Sequence, residues 1–265
     1  MNEKTLNYNE YELYYYTSGL NKKETIIFLH PAFSDHTTFV DQFTSLSDQY
    51  NIIALDMIGH GKSQPKKTSD DIGTTIQHVK EIMDENNMKH CHIVGVSLGS
   101  LVAQGFAAKH PTLVKTVTVV GGYSIHNYNK GILKAQKKEI LSWVFKVLFN
   151  MEGFRRYVAE ASTYKKHAYD RFYKSSKHIT RKSLKYMQGM QKILIKSDEP
   201  VPYPLLIVYG EHDLEKGINH AKFWNKQSLG SKLHIVKDAG HCVNMEQPEE
   251  FNKVLTNFIK MRNIQ

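Results

Sequence analysis

Cysteine is scarce: the 265 residues hold two, Cys91 and Cys242. Both fall where the pattern predicts a buried strand or a site-forming loop, so free thiols are expected rather than a disulfide framework. Long hydrophobic runs are lacking as well. No stretch approaches the roughly 18 uninterrupted apolar residues of a spanning helix, so no membrane span is expected. The N-terminal stretch MNEKTLNYNEYEL mixes charged and polar residues and has no apolar segment of the kind a secretory signal carries. A cytoplasmic protein is therefore expected. No internal repeat, low-complexity tract or Pro/Gly linker divides the chain. That leaves one large domain, or a core domain carrying an insertion.

Charge, by contrast, is plentiful and uneven. The net +9 is concentrated in Tyr123 to Glu199, where 17 Lys and Arg face 6 Asp and Glu; the remainder has 18 against 20. A basic surface can attract nucleic acid, anionic lipid or acidic substrates. The plainer reading is a solvated, lysine-rich face on a helical insertion. Tracts such as Lys165-Lys166 and Arg181-Lys182 lack the aromatic spacing of a nucleic-acid module, so no nucleic-acid partner is expected.

Short apolar runs rich in β-branched residues predict strands at Thr25–Leu29, Asn51–Leu55, Cys91–Val94 and Val114–Val120. Runs apolar on both faces suit a parallel sheet covered by helices. Thr5–Tyr8 and Tyr11–Tyr16 read as a hairpin turning at Asn9-Glu10. Helical spacing is found over Ile72–Glu85 and Leu98–Lys109, the latter with an apolar stripe through Leu98, Leu101, Val102, Gly105 and Phe106. From Gly131 to about Ser197 the texture is Lys- and Tyr-rich and helical. Strands resume at Pro204–Tyr209 and Lys232–Val236, and a helix closes the chain over Glu249–Met261. Alternating βα units interrupted by a helical stretch predict a mostly parallel α/β sheet with an inserted helical cap.

The sharpest local signal is Gly95-Val96-Ser97-Leu98-Gly99, a G-x-S-x-G pattern between a predicted strand and a predicted helix. A strand that turns abruptly into a helix strains the serine backbone, and side chains at the flanking positions would clash. Glycine removes the clash, and the turn lifts the Ser97 hydroxyl above the sheet. An alcohol is a poor nucleophile near neutral pH and needs a base to take its proton. Of the fourteen histidines, His241 follows the strand ending at Val236, in a loop at the sheet edge that also presents Ser97. The base needs a carboxylate to fix its tautomer. Asp213 lies just past the Leu205–Tyr209 strand; Glu211, close by, is a rival.

Together these segments resemble the α/β-hydrolase superfamily, in its branch of small esterases, lactonases and C–C hydrolases. The resemblance covers about 1–125 and 200–265, the expected core, and leaves 126–199 as the cap, or lid. It rests on the serine elbow and on Phe28-Leu29-His30-Pro31-Ala32-Phe33, which is similar to the family's H-G-x segment. Asp56-Met57-Ile58-Gly59-His60-Gly61-Lys62-Ser63 resembles its D-x-x-G-x-G-x-S turn, Tyr209–Asp213 the acid loop and Gly240-His241 the histidine loop. The resemblance implies Ser97, His241 and Asp213 as catalytic residues and the backbone amides of Ala32 and Leu98 as the oxyanion hole. Pro31 stands where the family usually has glycine; it lacks its own N–H but leaves that of Ala32 in place. His30 is expected to be a buried structural residue and Asp56 to organise its turn.

The implied reaction is acyl transfer on a small ester or thioester with an apolar acyl part, with an acidic substrate as an option opened by the basic segment. It requires no metal and no organic cofactor. Phe33, Tyr123, His126, Trp143 and Val243 are the candidate pocket residues, and the apolar stretch Ile140–Phe149 is expected to pack the cap core, with lining of the acyl pocket second and contact with a membrane surface third. A lactonase, a C–C bond hydrolase or lyase, and an aminopeptidase-like amidase share the same catalytic set. A non-catalytic small-molecule sensor is the reading from another class.

Overall fold

The computed structural model describes residues 1–126, 147, 149–195 and 201–262. Eight strands form one sheet: β1 (Asn2–Tyr8), β2 (Tyr11–Thr17), β3 (Thr25–Leu29), β4 (Asn51–Leu55), β5 (Cys91–Val96), β6 (Val114–Val120), β7 (Leu205–Gly210) and β8 (Lys232–Val236), in the order β1-β2-β4-β3-β5-β6-β7-β8. The hairpin forms where expected, with Asn9 at φ 49° in its turn, a conformation asparagine tolerates better than most residues. β1 and β2 pair antiparallel, and β2 joins β4 antiparallel. Every pairing from β4 to β8 is parallel.

Burial explains the continuous apolar runs. β3, β4, β5 and β7 are buried at every residue, because helices cover both faces of a parallel sheet. The helix Leu98–Lys109 is buried at ten consecutive positions, Leu98 to Ala107. It packs on β3, β5 and β6 and against Thr75–Glu85, which is why small residues such as Ala103, Gly105 and Ala107 occupy the positions between its larger side chains. Ile72–Glu85 divides into a 3₁₀ turn, Ile72–Thr74, capped by the Asp71 carboxylate, and an α-helix, Thr75–Glu85. The closing helix runs Pro248–Arg262.

Between β6 and β7 the regular elements among the described residues are all helical: Met151–Ser162, Lys166–Ser175, the 3₁₀ turn Ser176–His178, and the short helices Ser183–Tyr186 and Met190–Ile193. One helix, Glu215–Gln227, is not foreshadowed by the apolar pattern, since only Ala221 and Trp224 of its residues are buried. Both cysteines are free and buried. No described helix is long and apolar enough to cross a membrane.

Candidate active site

Ser97 sits between β5 and the helix Leu98–Lys109 with φ 50° and ψ −111°, a strained backbone for a residue other than glycine. Its N–H donates to the Val120 carbonyl at 2.8 Å, and its own carbonyl accepts from the Ser100 amide at 3.0 Å and the Ser100 hydroxyl at 2.6 Å. The Ser97 hydroxyl does not cap the helix. The neighbouring glycines are dictated by contact. A Cβ on Gly95 would overlap the Gly99 carbonyl, and one on Gly99 would overlap that of Leu29. Both obstacles are backbone and cannot rotate away. Gly99→Ala is therefore expected to destabilise the fold by about 3 kcal/mol or to prevent folding. A urea midpoint equal to that of the wild type would contradict this packing.

Asp213 lies three residues beyond β7, where its N–H donates to the Gly210 carbonyl at 3.2 Å. Its carboxylate accepts the Leu214 amide at 2.7 Å and faces His241 Nδ1 at 3.0 and 3.1 Å. Only 4% of the Asp213 side chain and 20% of the His241 side chain are exposed. Burial alone would lower the imidazole pKa, but the Asp213 charge and hydrogen bond outweigh it and raise the value above its ordinary one. Glu211, the rival acid, is exposed and accepts the Asp238 amide at 3.2 Å. The geometry thus places Asp213, not Glu211, on His241.

Two further groups hold the imidazole loop, and the sequence reading missed both. Gly121 (φ 58°) lies flat against the ring: a Cβ there would stand 2.7 Å from His241 Cε1. Glu246, five residues past His241, accepts the amides of Gly240 at 3.0 Å, Tyr164 at 3.1 Å and Lys165 at 3.2 Å with one carboxylate oxygen. Burial raises its pKa despite those three amides. No motif marks it, because its partners are backbone amides.

The expectations for the preceding loops are met by specific contacts. His30 is fully buried; its Nδ1 donates to the Pro31 carbonyl at 2.8 Å and its Nε2 accepts the Met57 amide at 3.0 Å. Burial lowers its pKa, so it is a neutral brace between two loops. Asp56 accepts from the His36 and Lys62 amides at 3.0 and 2.9 Å and from the His36 ring at 2.8 Å. The Pro31 carbonyl also accepts the Ser34 hydroxyl at 2.9 Å, and Phe33 adopts φ 64°, so this loop is fixed despite the missing glycine.

Ser97, Asp213 and His241 all line one cavity of about 400 Å³, together with Ala32, Phe33 and Tyr123. Helix Met151–Ser162 supplies Tyr157, Val158, Ala161 and Ser162, and the Glu215–Gln227 helix supplies Lys216, Gly217 and His220. Leu98, at 5% exposure, follows Ser97 at the helix start. Two expected pocket residues do not line this cavity. His126 is buried and faces the Tyr203 hydroxyl at 3.3 Å, because the chain past the Gly121 turn has already moved away to meet Ile195. Val243 is wholly buried at the start of the turn Val243–Glu246. Trp143 lies outside the described residues; of the apolar stretch Ile140–Phe149, Val147 is buried and Phe149 is 74% exposed. None of the described Lys or Arg residues of 150–195 lines the cavity; Lys192 pairs with Asp71 and Arg171 with Asp41.

One potential metal-binding group occurs among the described residues: Glu211, His212 and Asp238, whose donor atoms lie within 4.8 Å of one another. It is exposed and outside the cavity lining, and exposed carboxylates gather in this way without an ion.

Comparison with known proteins agrees with this architecture. The sequence matches the family described as the alpha/beta hydrolase fold over residues 24–248. It is 27% identical over 245 residues to the dihydrolipoyllysine-residue acetyltransferase component of an acetoin cleaving system from Cupriavidus necator, a match that covers 88% of this chain and 62% of that protein. The chain thus spans less than two thirds of that relative's length. It is 24% identical over 261 residues to a 2-hydroxy-6-oxononadienedioate/2-hydroxy-6-oxononatrienedioate hydrolase from a Pseudomonas species, covering 90% of this chain and 89% of that protein. The crystal structure of a hydrolase from Pseudomonas aeruginosa PA01 superposes with a TM-score of 0.82 at 18% identity, over 97% of this chain and 98% of that one; at such identity it speaks to the fold alone. From the family match and the mostly parallel eight-stranded sheet, the chain belongs to the α/β-hydrolase fold family.

Proposed function

We propose that the protein is a serine hydrolase that cleaves a carboxylic ester or thioester through an acyl-enzyme. The observation that carries this reading is the imidazole of His241, held by both Asp213 oxygens at 3.0 and 3.1 Å on the wall of the cavity that Ser97 also lines. His241 Nε2 takes the Ser97 proton as the hydroxyl oxygen attacks the carbonyl carbon. The amides of Leu98 and Ala32 hold the oxyanion, each worth about 3–4 kcal/mol of barrier. The imidazolium then protonates the leaving alcohol or thiol. Water, deprotonated by the same imidazole, hydrolyses the acyl-enzyme and restores Ser97. The Asp213 carboxylate holds the imidazole tautomer and stabilises the imidazolium.

The helical segment between β6 and β7 serves as a cap, with Tyr157, Val158 and Ala161 forming the roof of the acyl pocket. A C–C bond hydrolase is the second reading, supported by the relative named for the hydrolysis of 2-hydroxy-6-oxononadienedioate.

A fluorophosphonate probe tests the central claim. Covalent labelling of the wild type and none of Ser97→Ala is the expected result. A folded wild type that resists labelling would overturn the hydrolase reading in favour of a non-catalytic sensor.

A further inference from the structure

Among the described residues, one lysine or arginine lines the cavity, the exposed Lys216. It makes no ion pair or side-chain hydrogen bond with any described residue. Asp213, the carboxylate on the same wall, is engaged by the His241 ring and the Leu214 amide. Four residues on, His220 lines the cavity too, and its Nε2 is buried with no hydrogen-bond partner among the described residues. Residues four apart on a helix share a face, so helix Glu215–Gln227 turns an ammonium and an unsatisfied imidazole nitrogen to the same space. Gly217, between them, lets this helix approach β7: a Cβ there would stand 2.9 Å from Tyr209 Cε1.

An imidazole nitrogen buried without a partner is costly unless something that enters the site completes it. Burial lowers the His220 pKa and so favours the neutral ring, which has a single N–H to donate. A neutral donor beside a cation suits an anionic oxygen pair. The remaining wall is largely apolar, with Ala32, Phe33, Val158 and Ala161, and suits a short hydrocarbon segment. The surplus lysines of the helical segment are not the source of this recognition, since none of the described ones reaches the cavity.

We propose that the substrate is two-ended: an acyl carbonyl is presented to Ser97, and a carboxylate across a short apolar chain pairs with the Lys216 ammonium and accepts a hydrogen bond from His220 Nε2. The substrate class is a monoester or monothioester of a short dicarboxylic acid. Hydrolysis consumes one water and gives the dicarboxylic acid and the free alcohol or thiol. The proposal rests on the reading of Ser97 as nucleophile, and two measurements separate the claims.

The first uses turnover of the p-nitrophenyl hemiester of adipic acid against its methyl-capped, neutral counterpart. The wild type is expected to prefer the free acid by about tenfold in kcat/KM, mainly through KM, an effect of the size a single partly solvated charge contact provides. Lys216→Met should bring that ratio to within about twofold of one, and Lys216→Arg should keep most of it. His220→Phe should reduce it by a few-fold. The second measurement is independent of chemistry: titration of Ser97→Ala with monomethyl adipate, with and without Lys216→Met, where loss of the lysine should weaken Kd about tenfold. Turnover of both esters at equal efficiency, unchanged by Lys216→Met, would overturn the carboxylate site and leave the esterase reading standing. No turnover of either ester, with Lys216-dependent binding of monomethyl adipate, would overturn the esterase reading and leave the carboxylate site standing. Binding that is indifferent to Lys216 overturns the proposal whatever the turnover.

Discussion

Ser97→Ala and His241→Ala should each lower the hydrolysis of p-nitrophenyl butyrate by about 10⁴–10⁶-fold, as removal of either member of a coupled nucleophile–base pair does. The effects should not add, because the hydroxyl has no base without His241 and the base has nothing to activate without Ser97. The double variant is expected to match the single ones. Thermal unfolding should shift by no more than a few degrees. Ser97 is strained at φ 50° and makes no capping bond with its side chain, so loss of its oxygen removes chemistry, not a structural contact. Steady-state rates and circular-dichroism melts of the three variants check this. Residual activity of a few per cent in Ser97→Ala would end the assignment.

The second large effect is expected at Asp213. Asp213→Asn should cost about 10³–10⁴-fold in kcat, because an amide stabilises the wrong imidazole tautomer and cannot balance the imidazolium charge. Glu211→Gln should stay within about twofold, since Glu211 is exposed and bonds to the Asp238 amide, not to the ring. The reverse outcome would make Glu211 the acid. The pH profile gives a second readout. On the proposed mechanism activity requires neutral His241 and should fall as pH drops through its pKa, which in the native protein lies above the ordinary value. Removing the Asp213 charge takes away the influence that raises it, so the acid limb of kcat/KM should move to lower pH.

Much of this was legible in the residues themselves. Strands buried on both faces announce themselves as unbroken β-branched runs, and those of β3, β4 and β6 match to the residue. The elbow was legible because its glycines are forced by backbone overlap, a constraint that only one residue type satisfies. The Glu215–Gln227 helix was not, because it buries only two of its residues and so leaves almost no periodic trace. For the same reason Lys216 and His220 went unread as cavity residues. The misplacement of His126 and Val243 has another origin. Nearness in sequence to a functional loop says nothing of direction: past the left-handed turn at Gly121 (φ 58°) the chain runs to meet Ile195 and seats His126 against Tyr203, while Val243 opens a short helical turn whose residues are all buried. Glu246 was missed because its partners are backbone amides, which any residue carries and no motif marks.

The Glu246 carboxylate joins the loop of His241 to the corner of the helical segment at Tyr164 and Lys165, and the Cys242 amide adds a bond to the Ser162 carbonyl at 3.1 Å. The roof of the cavity and the floor that carries its imidazole are thereby fastened by one buried anion and a short run of peptide groups. Lifting that corner would strip the Glu246 carboxylate of two donors and loosen the loop that carries the His241 ring. On the proposed mechanism, the position of that corner and the seating of the imidazole therefore share one set of contacts.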